Sequence, residues 1–416
     1  MKPSPPPSPY CFSRRLCCSW QPRRVFGIAQ IGFNLQKMKK FLIVLSVVAA
    51  CLLAAGCQNS NTAAPPFAAQ DLSRTDWREI ENKARGTTVA FAMWTGDENR
   101  NRFFKSRVTE ELAARYGIRL HIVPLGDTAE AVGKMLNEKS AGKSSGGSID
   151  MIWINGENFR SAKQGSLLWG AFAEKLPNLK YYDETASKRD FGTAIDGLEA
   201  PWQKSQFVFA YDAARFKETP RSIPELGEWI KANPGRFAYI APPDFTGSAF
   251  LRHVLFHFGG GADKFREFDE QTYQDAAQKT FAFLSDIKPF LWRKGETYPN
   301  SPKELDGLFA NREVDFSFAY GANFASDRIK RGEFPPTAQT FVLNEGTISN
   351  YSFLTIPFNA SNPAGSLVVI NYLMSPEFQI AQAKTLGTVY PHKLDNLSAE
   401  QRKAADELER GAATLG

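Results

Sequence analysis

Four groupings of side chains in this 416-residue sequence have the types and spacing that chemistry requires. His253 and His257 stand four apart on one predicted helix face, the spacing of a metal-ligand pair. The glutamate of an HExxH motif is missing between them, and Leu251, Val254, Leu255 and Phe256 make the surroundings core-like, so both read as structural histidines. Asp97 and Glu157 each follow a predicted strand, so one rim can gather two carboxylates, the equipment of a hydrolase working with paired acids. Ser248 lies in Phe-Thr-Gly-Ser-Ala, which lacks the GxSxG elbow, and no local logic supplies a histidine to activate it. The fourth grouping is aromatic: Trp94, Trp153, Trp202, Phe245, Tyr320 and Tyr351. Trp153 lies inside a strand and reads as core. Trp94, Trp202 and Tyr320 lie where strands stop, where a ligand ring or cation would stack for about 0.5–2 kcal/mol.

The elements that must position these groups alternate between strand and helix. A strand at 87–94 (TTVAFAMW) is followed by a helix to Tyr116, ended by Gly117. A second strand covers 119–125 (RLHIVPL), Asp127 or Thr128 opens a helix ending near Ser140, and 149–154 (IDMIWI) is a third strand. Three near-continuous apolar strands alternating with helices predict a parallel sheet covered on both faces. Ligands of such sheets gather at the carboxyl ends of the strands, where this sequence places Trp94, Thr95, Asp97, Asn155, Glu157 and Asn158. The Gly-Lys-Ser at 142–144 is not a phosphate loop, because Asn137 occupies the place of the earlier glycine and a strand follows instead of preceding it.

A second α/β unit begins with a strand at 206–212 (QFVFAYD) and a helix at 223–232 capped by Ser222. Phe237-Ala238-Tyr239-Ile240 then reads as a buried strand, which Pro242-Pro243-Asp244 ends because proline offers no ladder N–H. An apolar helix is expected from Ala249 to the stop at Gly259-Gly260-Gly261. Its start, Thr246-Gly247-Ser248, would present free backbone N–H groups to an anion or polar ligand atom, worth about 0.3–1 kcal/mol exposed and up to about 2 when partly buried. Helices follow near 272–287 and 302–311, then a strand at 314–320 ending in Gly321-Ala322-Asn323. Extended segments at 340–343 and 351–357 return, and helices beyond Asn362 close the chain. Long extended segments crossing near 206 and 340 make a two-lobed α/β protein with a cleft and a hinge.

Composition narrows the function classes. The formal charge of +6 resides in residues 1–57, which hold eight Lys and Arg and no acid, so 58–416 carries −2 and a nucleic-acid partner loses its support. All five cysteines also lie there (Cys11, Cys17, Cys18, Cys51, Cys57), which excludes disulfides, thiolate metal sites and a cysteine nucleophile from 58–416. Met38-Lys39-Lys40 precedes an apolar run at 41–56, shorter than the roughly 20 residues of a spanning helix and close to a signal peptide's apolar region. Leu53-Ala54-Ala55-Gly56-Cys57 resembles a bacterial lipobox, making Cys57 the lipidated residue, with Cys51 the alternative and an uncleaved anchor helix the other reading. Residues 1–37 then read as an upstream extension ahead of the true start at Met38, 38–57 as a lipoprotein signal peptide and 58–72 as a flexible tether.

Several stretches carry a family resemblance: WTGD (94–97), SIDMIWINGENF (148–159), PWQKSQFVFAYD (201–212), NPGRFAYIAPPDFTGSAF (233–250) and NYSFLTIPFNASNPAGSLVVINYLMSPEFQIAQ (350–382). They resemble bacterial ABC-transporter solute-binding proteins over about residues 75–410, in particular the YnjB-like group related to thiamine-, ferric iron-, sulfate- and polyamine-binding proteins. The resemblance implies a two-lobed, periplasmic-binding-protein-like α/β fold of type II. Lobe I would be 73–206 plus about 340–390, and lobe II 207–339 plus about 391–416. It implies a small solute trapped between the lobes, ABC permease and ATPase subunits as partners, and a periplasmic location tethered to the membrane by the N-terminal lipid. Neither catalysis nor a cofactor is implied. Carried over by position, the implied contacts are Trp94, Asp97, Asn155, Asn158 and Trp202 from lobe I, and Thr246, Gly247, Ser248 and Tyr320 from lobe II. Thr95, Glu157, Phe245, Asn323 and Tyr351 complete the candidate set. Iron-binding relatives use an adjacent tyrosine pair late in the sequence; here the pair is Tyr181-Tyr182, in the first lobe, and Tyr320 precedes a glycine, so no metal is expected. Asp97 and Glu157 favour a cationic group and Thr246–Ser248 an anionic or carbonyl end, which suits a thiamine-like or other zwitterionic or cationic solute. The alternative is a lipid-anchored hydrolase using Asp97 and Glu157.

Overall fold

The computed structural model describes residues 67–408 together with 411, 413 and 414. The expected upstream extension (1–37) and signal peptide (38–57), with Cys51 and Cys57, and most of the expected tether lie outside the described residues. The last part of that tether is folded: Ala69–Arg74 forms a 3-10 turn that buries Leu72, and Phe67 packs on Trp169 with ring centroids 5.9 Å apart. Apolar side chains at these two positions find core to bury against, so the tether ends earlier than its polar composition suggested.

The βαβ rhythm of the first lobe is present. Helix α1 (Trp77–Ala84) starts on the side chain of Asp76, and strand β1 (Thr88–Trp94) follows. Helices α2 (Glu98–Phe103) and α3 (Thr109–Tyr116) are joined by a π-helical turn at Phe104–Val108, and Gly117 ends α3 at φ +66°. Strand β2 (Arg119–Leu125) leads to α4 (Thr128–Ser140), opened by a capping box between Asp127 and Glu130. Strand β3 (Met151–Ile154) leads to α5 (Glu157–Gln164), and a short hairpin follows, β4 (Arg189–Asp190) with β5 (Thr193–Ala194). Strands β2, β1 and β3 lie side by side and parallel, as the apolar runs predict.

Strand β6 (Glu199–Asp212) is the element that joins the lobes. Beyond it come α6 (Ile223–Ala232), α7 (Phe245–Phe258), α8 (Glu270–Ile287), α9 (Pro302–Ala310), β7 (Phe316–Tyr320), α10 (Phe324–Lys330), β8 (Ala338–Phe341), β9 (Ser349–Thr355), α11 (Pro363–Leu373), α12 (Pro376–Leu386) and α13 (Ala399–Asp406). The first part of β6 pairs antiparallel with β9, which pairs antiparallel with β3; the part from Phe207 onward pairs with β7 and β8. One strand therefore runs through both lobes. The return crossing falls between Phe341 and Ser349, later than expected, because β8 still pairs with the distal part of β6.

Two further expectations change. Residues 237–240 are buried but form no strand: the Phe237 carbonyl accepts from Trp292 N–H at 2.8 Å and Ala241 N–H donates to Pro299 at 2.8 Å, single bonds to separate segments in place of a ladder. Residues 391–406 pack on the first lobe, where His392 meets Tyr182 at 4.6 Å and Gln401 bonds Glu377 of α12 at 3.1 Å; among the described residues beyond them, Ala413 is buried in the second core.

Each lobe has its own core. The first gathers Val89, Phe91, Phe104, Trp202 and Leu354 around α11, a helix with no exposed face, while Ile152, Phe159 and Phe353 cover the other side of the sheet. The second core is aromatic: Phe207, Phe209, Phe237, Phe250, Phe316 and Phe318. His253 ties α7 to the crossing, since its Nδ1–H donates to Ala249 O at 2.9 Å and its Nε2 accepts from Ile348 N–H at 3.0 Å. Burial pushes its pKa down to about 4, so it stays neutral. His257 instead meets Glu345 at 2.7 Å, and the two rings share no partner.

Candidate functional site

At the carboxyl end of β1 the Trp94 ring, 37 % exposed, folds back over Gly96, where any Cβ would lie 2.1 Å from a ring carbon. Trp94 meets Trp153 edge-on at 6.4 Å and Trp153 meets Trp202 at 5.3 Å. Asp97 opens α2 by accepting Arg100 N–H at 3.0 Å. The Arg100 guanidinium lies 5.0 Å from the Trp153 ring centre and donates through Nη1 to Gln203 Oε1 at 3.0 Å; Asn101 donates to the Thr95 carbonyl at 2.8 Å. From the second lobe Arg331, just beyond α10, brings Nη2 within 3.5 Å of Asp97 while also pairing with Asp327.

Burial works against ionisation of Asp97, yet the Arg100 N–H and the guanidinium groups of Arg100, Arg331 and Arg328 hold its pKa below the usual carboxylate range. Its charge is therefore engaged by protein cations, which corrects the expectation of a free receptor for a ligand cation. The same environment is wrong for a general acid, which needs a raised pKa, and Glu157 stands exposed in the first turn of α5. The hydrolase alternative has no support in this geometry.

The carboxyl end of β3 reaches the second lobe by another route. Gly156 N–H donates to the Asp190 carboxylate, and the Cβ position of Gly156 is 3.4 Å from the ring of Phe191, at the turn of the β4–β5 hairpin. Phe191 packs edge-on against Phe245, the first residue of α7, at 5.7 Å, and the Arg252 guanidinium lies 5.4 Å from the Phe191 ring centre. Phe245 in turn meets Tyr320 at 5.1 Å. Asn155 and Asn158, both half-buried, lie one and two residues from Gly156 in the chain.

Other expected residues do different work. Trp202 is 0 % exposed, because its side of β6 faces the first core, where it also packs on Phe104 at 6.2 Å. Helix α7 begins at Phe245, not Ala249, and its start is not bare: the Asp244 carboxylate accepts from Thr246 N–H and Gly247 N–H, both at 2.8 Å. An anion there would meet a carboxylate already in place. Gly247 is required by close packing, since a Cβ would sit 2.3 Å from the Ile240 carbonyl oxygen; Thr246 is buried and Ser248 half-buried. Asn323 donates to Gly387 O at 2.8 Å and Tyr351 packs on Tyr182 at 6.2 Å, both structural contacts. Replacing Asp244 with alanine should cost about 1 kcal/mol by loss of the cap, read as a lower urea midpoint; an unchanged midpoint would mean that water replaces the cap without loss.

Sequence reasoning missed Arg100, Phe191, Gln203, Arg252 and Arg331. Arg252 had a signal, since it follows Phe245 by seven residues, two helical turns, and shares its face. Phe191 had none. Several of the missed residues carry buried polar atoms without a protein partner: Arg100 Nε, Gln203 Nε2, Arg252 Nη1 and Arg331 Nε, with Tyr320 Oη and Trp202 Nε1 in the same condition. Surface cavities of about 380 Å³ beside Asp327 and Lys384 and about 240 Å³ beside Arg215 and Arg312 include none of Trp94, Asn155 or Phe245.

A family model described as bacterial extracellular solute-binding protein matches residues 107–406. The chain belongs to that family. This solute-binding protein is 38 % identical over 311 residues to Protein YnjB of Escherichia coli (strain K12), a match covering 74 % of this chain and 80 % of YnjB. Its fold is that of solved ABC-transporter binding proteins. One from Clostridium perfringens ATCC 13124 superposes with a TM-score of 0.56 at 21 % identity, covering 78 % of this chain and 91 % of the other. The spermidine/putrescine substrate-binding protein PotD from Streptococcus pneumoniae gives 0.57 at 14 % identity (76 % and 87 %), and iron-bound HitA from Pseudomonas aeruginosa 0.55 at 15 % (74 % and 87 %). The chain is a bacterial extracellular solute-binding protein, and the family implies a small-molecule solute and a periplasmic location. Its family and fold are those of non-enzymatic binding proteins.

Proposed function

We propose that this protein captures a small polar solute where Trp94, Asp97 and Asn155 of the first lobe meet Phe245 and Tyr320 of the second, and that hinging about β6 and the return crossing presents it to the permease. One observation carries the reading: buried polar atoms that no protein group satisfies occur on both sides of this junction, on Arg100 and Gln203 as on Arg252 and Tyr320. Such atoms cost about 1–3 kcal/mol each when left unmatched, and a solute bridging the lobes would match both sets at once. Iron, named for HitA, has less to recommend it, since Tyr182 is buried and donates to the Trp202 carbonyl at 2.9 Å. A thiamine-like or polyamine-like cation would depend on Glu157, because Asp97 is already paired. Lipidation at Cys57 belongs to the same proposal, and mass spectrometry of the mature N-terminus tests it.

A thermal-shift screen of vitamins, amines, metals and oxyanions tests the capture reading. A true solute at a hundredfold excess over its Kd adds about 2.7 kcal/mol of apparent stability. Trp94→Ala should then weaken the hit by about 0.5–2 kcal/mol, the worth of a stacking contact, without altering the fold. A panel in which nothing moves the melting temperature would remove the reading.

A further inference from the structure

We infer that the solute carries an anionic oxygen group, a carboxylate or a phosphate, received by Arg252 and Tyr320 of the second lobe against Phe191 of the first. This rests on the reading that the junction holds the solute, and goes on to name the charge the solute must bring.

Among the described residues no carboxylate meets the charge of Arg252. Arg331 pairs with Asp327 and Asp97, Arg328 with Asp306 and Glu333, and Arg100 caps its contacts on Gln203 and the nearby Asp97. Arg252 has only the face of Phe191, a contact that draws on its charge but accepts none of its N–H groups, and its Nη1 is buried without an acceptor. The Tyr320 hydroxyl is buried without a partner as well. Burial raises the pKa of that phenol and keeps it in its protonated, donating form, with the positive charge of Arg252 acting against the rise. Phe191, Phe245 and Tyr320 wall the two donors with rings 5.1–5.7 Å apart, so an ion pair formed there is shielded from water and strengthened. Three of the carboxylates that might have served a cation instead are engaged, Asp97 by arginines, Asp244 by the N–H groups of α7 and Asp190 by Gly156 N–H, while Glu157 stands exposed in the first turn of α5. Two unmatched buried donors bordering the one run of rings from Phe191 through Phe245 to Tyr320, one of them a guanidinium, fit a planar carboxylate or a phosphate oxygen pair better than any cation or neutral group.

The test measures binding to the purified protein by calorimetric titration for probe pairs that differ in the anionic group: glycerol and glycerol 3-phosphate, thiamine and thiamine monophosphate, succinamide and succinate, with spermidine and inorganic phosphate alone. The expected result is that the anionic member of at least one pair binds tenfold or more tighter than its partner. Arg252→Gln should abolish that preference, Tyr320→Phe weaken it severalfold, and Arg252→Lys keep the preference at reduced affinity. The phosphate and carboxylate arms distinguish the two sources of the group. If thiamine or spermidine binds and Arg252→Gln leaves its Kd unchanged, the inference is overturned while the capture reading stands; if no probe binds, both fall. Should Arg252→Gln lose its thermal transition, Arg252→Lys and Tyr320→Phe carry the same comparison.

Discussion

Replacing Trp202 with alanine should lower the free energy of unfolding by about 3–5 kcal/mol, the range for deleting a buried large aromatic ring. The indole is wholly buried and touches Phe104 and Trp153 edge-on, so its removal leaves a cavity in the middle of the first core. The neighbours cannot close in easily, because the Trp202 carbonyl is held by Tyr182 Oη at 2.9 Å and Gln379 Nε2 at 2.6 Å, which fixes the strand. Trp202→Phe should cost less, having more of the volume in place. Urea titration followed by far-UV circular dichroism measures both. A Trp202→Ala protein with a wild-type midpoint and weakened solute binding would restore the ligand contact that the expected position of Trp202 among the strand-end aromatics suggested.

Glu199→Gln should stabilise the protein at pH 8 and leave it nearly unchanged at pH 5. Glu199 is 0 % exposed with neither carboxyl oxygen bonded, and neighbouring Asp190, 1 % exposed, bonds only through one oxygen to Gly156 N–H. Burial first, then the negative charge of Asp190, pushes the Glu199 pKa well up, with Lys163 only partly offsetting them; burial pushes Asp190 up to about 7. A carboxyl whose pKa is raised by folding contributes stability below its unfolded pKa and loses it as pH rises through the folded value. For Asp190 that window runs from 3.8 to about 7, and Glu199 extends it upward. Removing one acid ends the competition, so the variant's advantage should grow with pH towards roughly 3–5 kcal/mol, the cost of an uncompensated buried charge. His253 and His392, whose pKa values burial lowers to about 4 and about 3, give the opposite slope below pH 6.5. They occur in both proteins and cancel in the difference. Parallel stability curves between pH 5 and 8 would show that the pair is not ionised against a penalty.

The first lobe was legible because its signals are local. Strand 119–125 agrees with β2 to the residue, and Asp127 and Gly117 mark helix ends by capping chemistry that acts within one turn. The second lobe was less legible because partners decide it. Residues 237–240 have strand composition, yet the segments beside them offer single bonds, and β6 continues back to Glu199 because β9, about 150 residues later, supplies its partner. The site divides the same way. Strand ends marked Trp94, Asp97, Asn155 and Tyr320 as candidates, but charge state depends on what crosses from the other lobe. Arg331 could not be foreseen beside Asp97, and the aspartate that breaks the strand, Asp244, turned out to occupy the helix start expected to be open.

Because β9 and α11 complete a core begun by β1 to β3, the first lobe cannot close while the ribosome is still adding the second. At about 5–20 residues per second, the interval from Gln206 to Ser349 lasts roughly 7–30 s. Throughout it, the β3 edge that β9 will cover has no partner, and the faces around α11 stay uncovered. The nascent chain therefore emerges with its first-made sheet the last to become native, and that exposed edge needs protection against premature strand pairing.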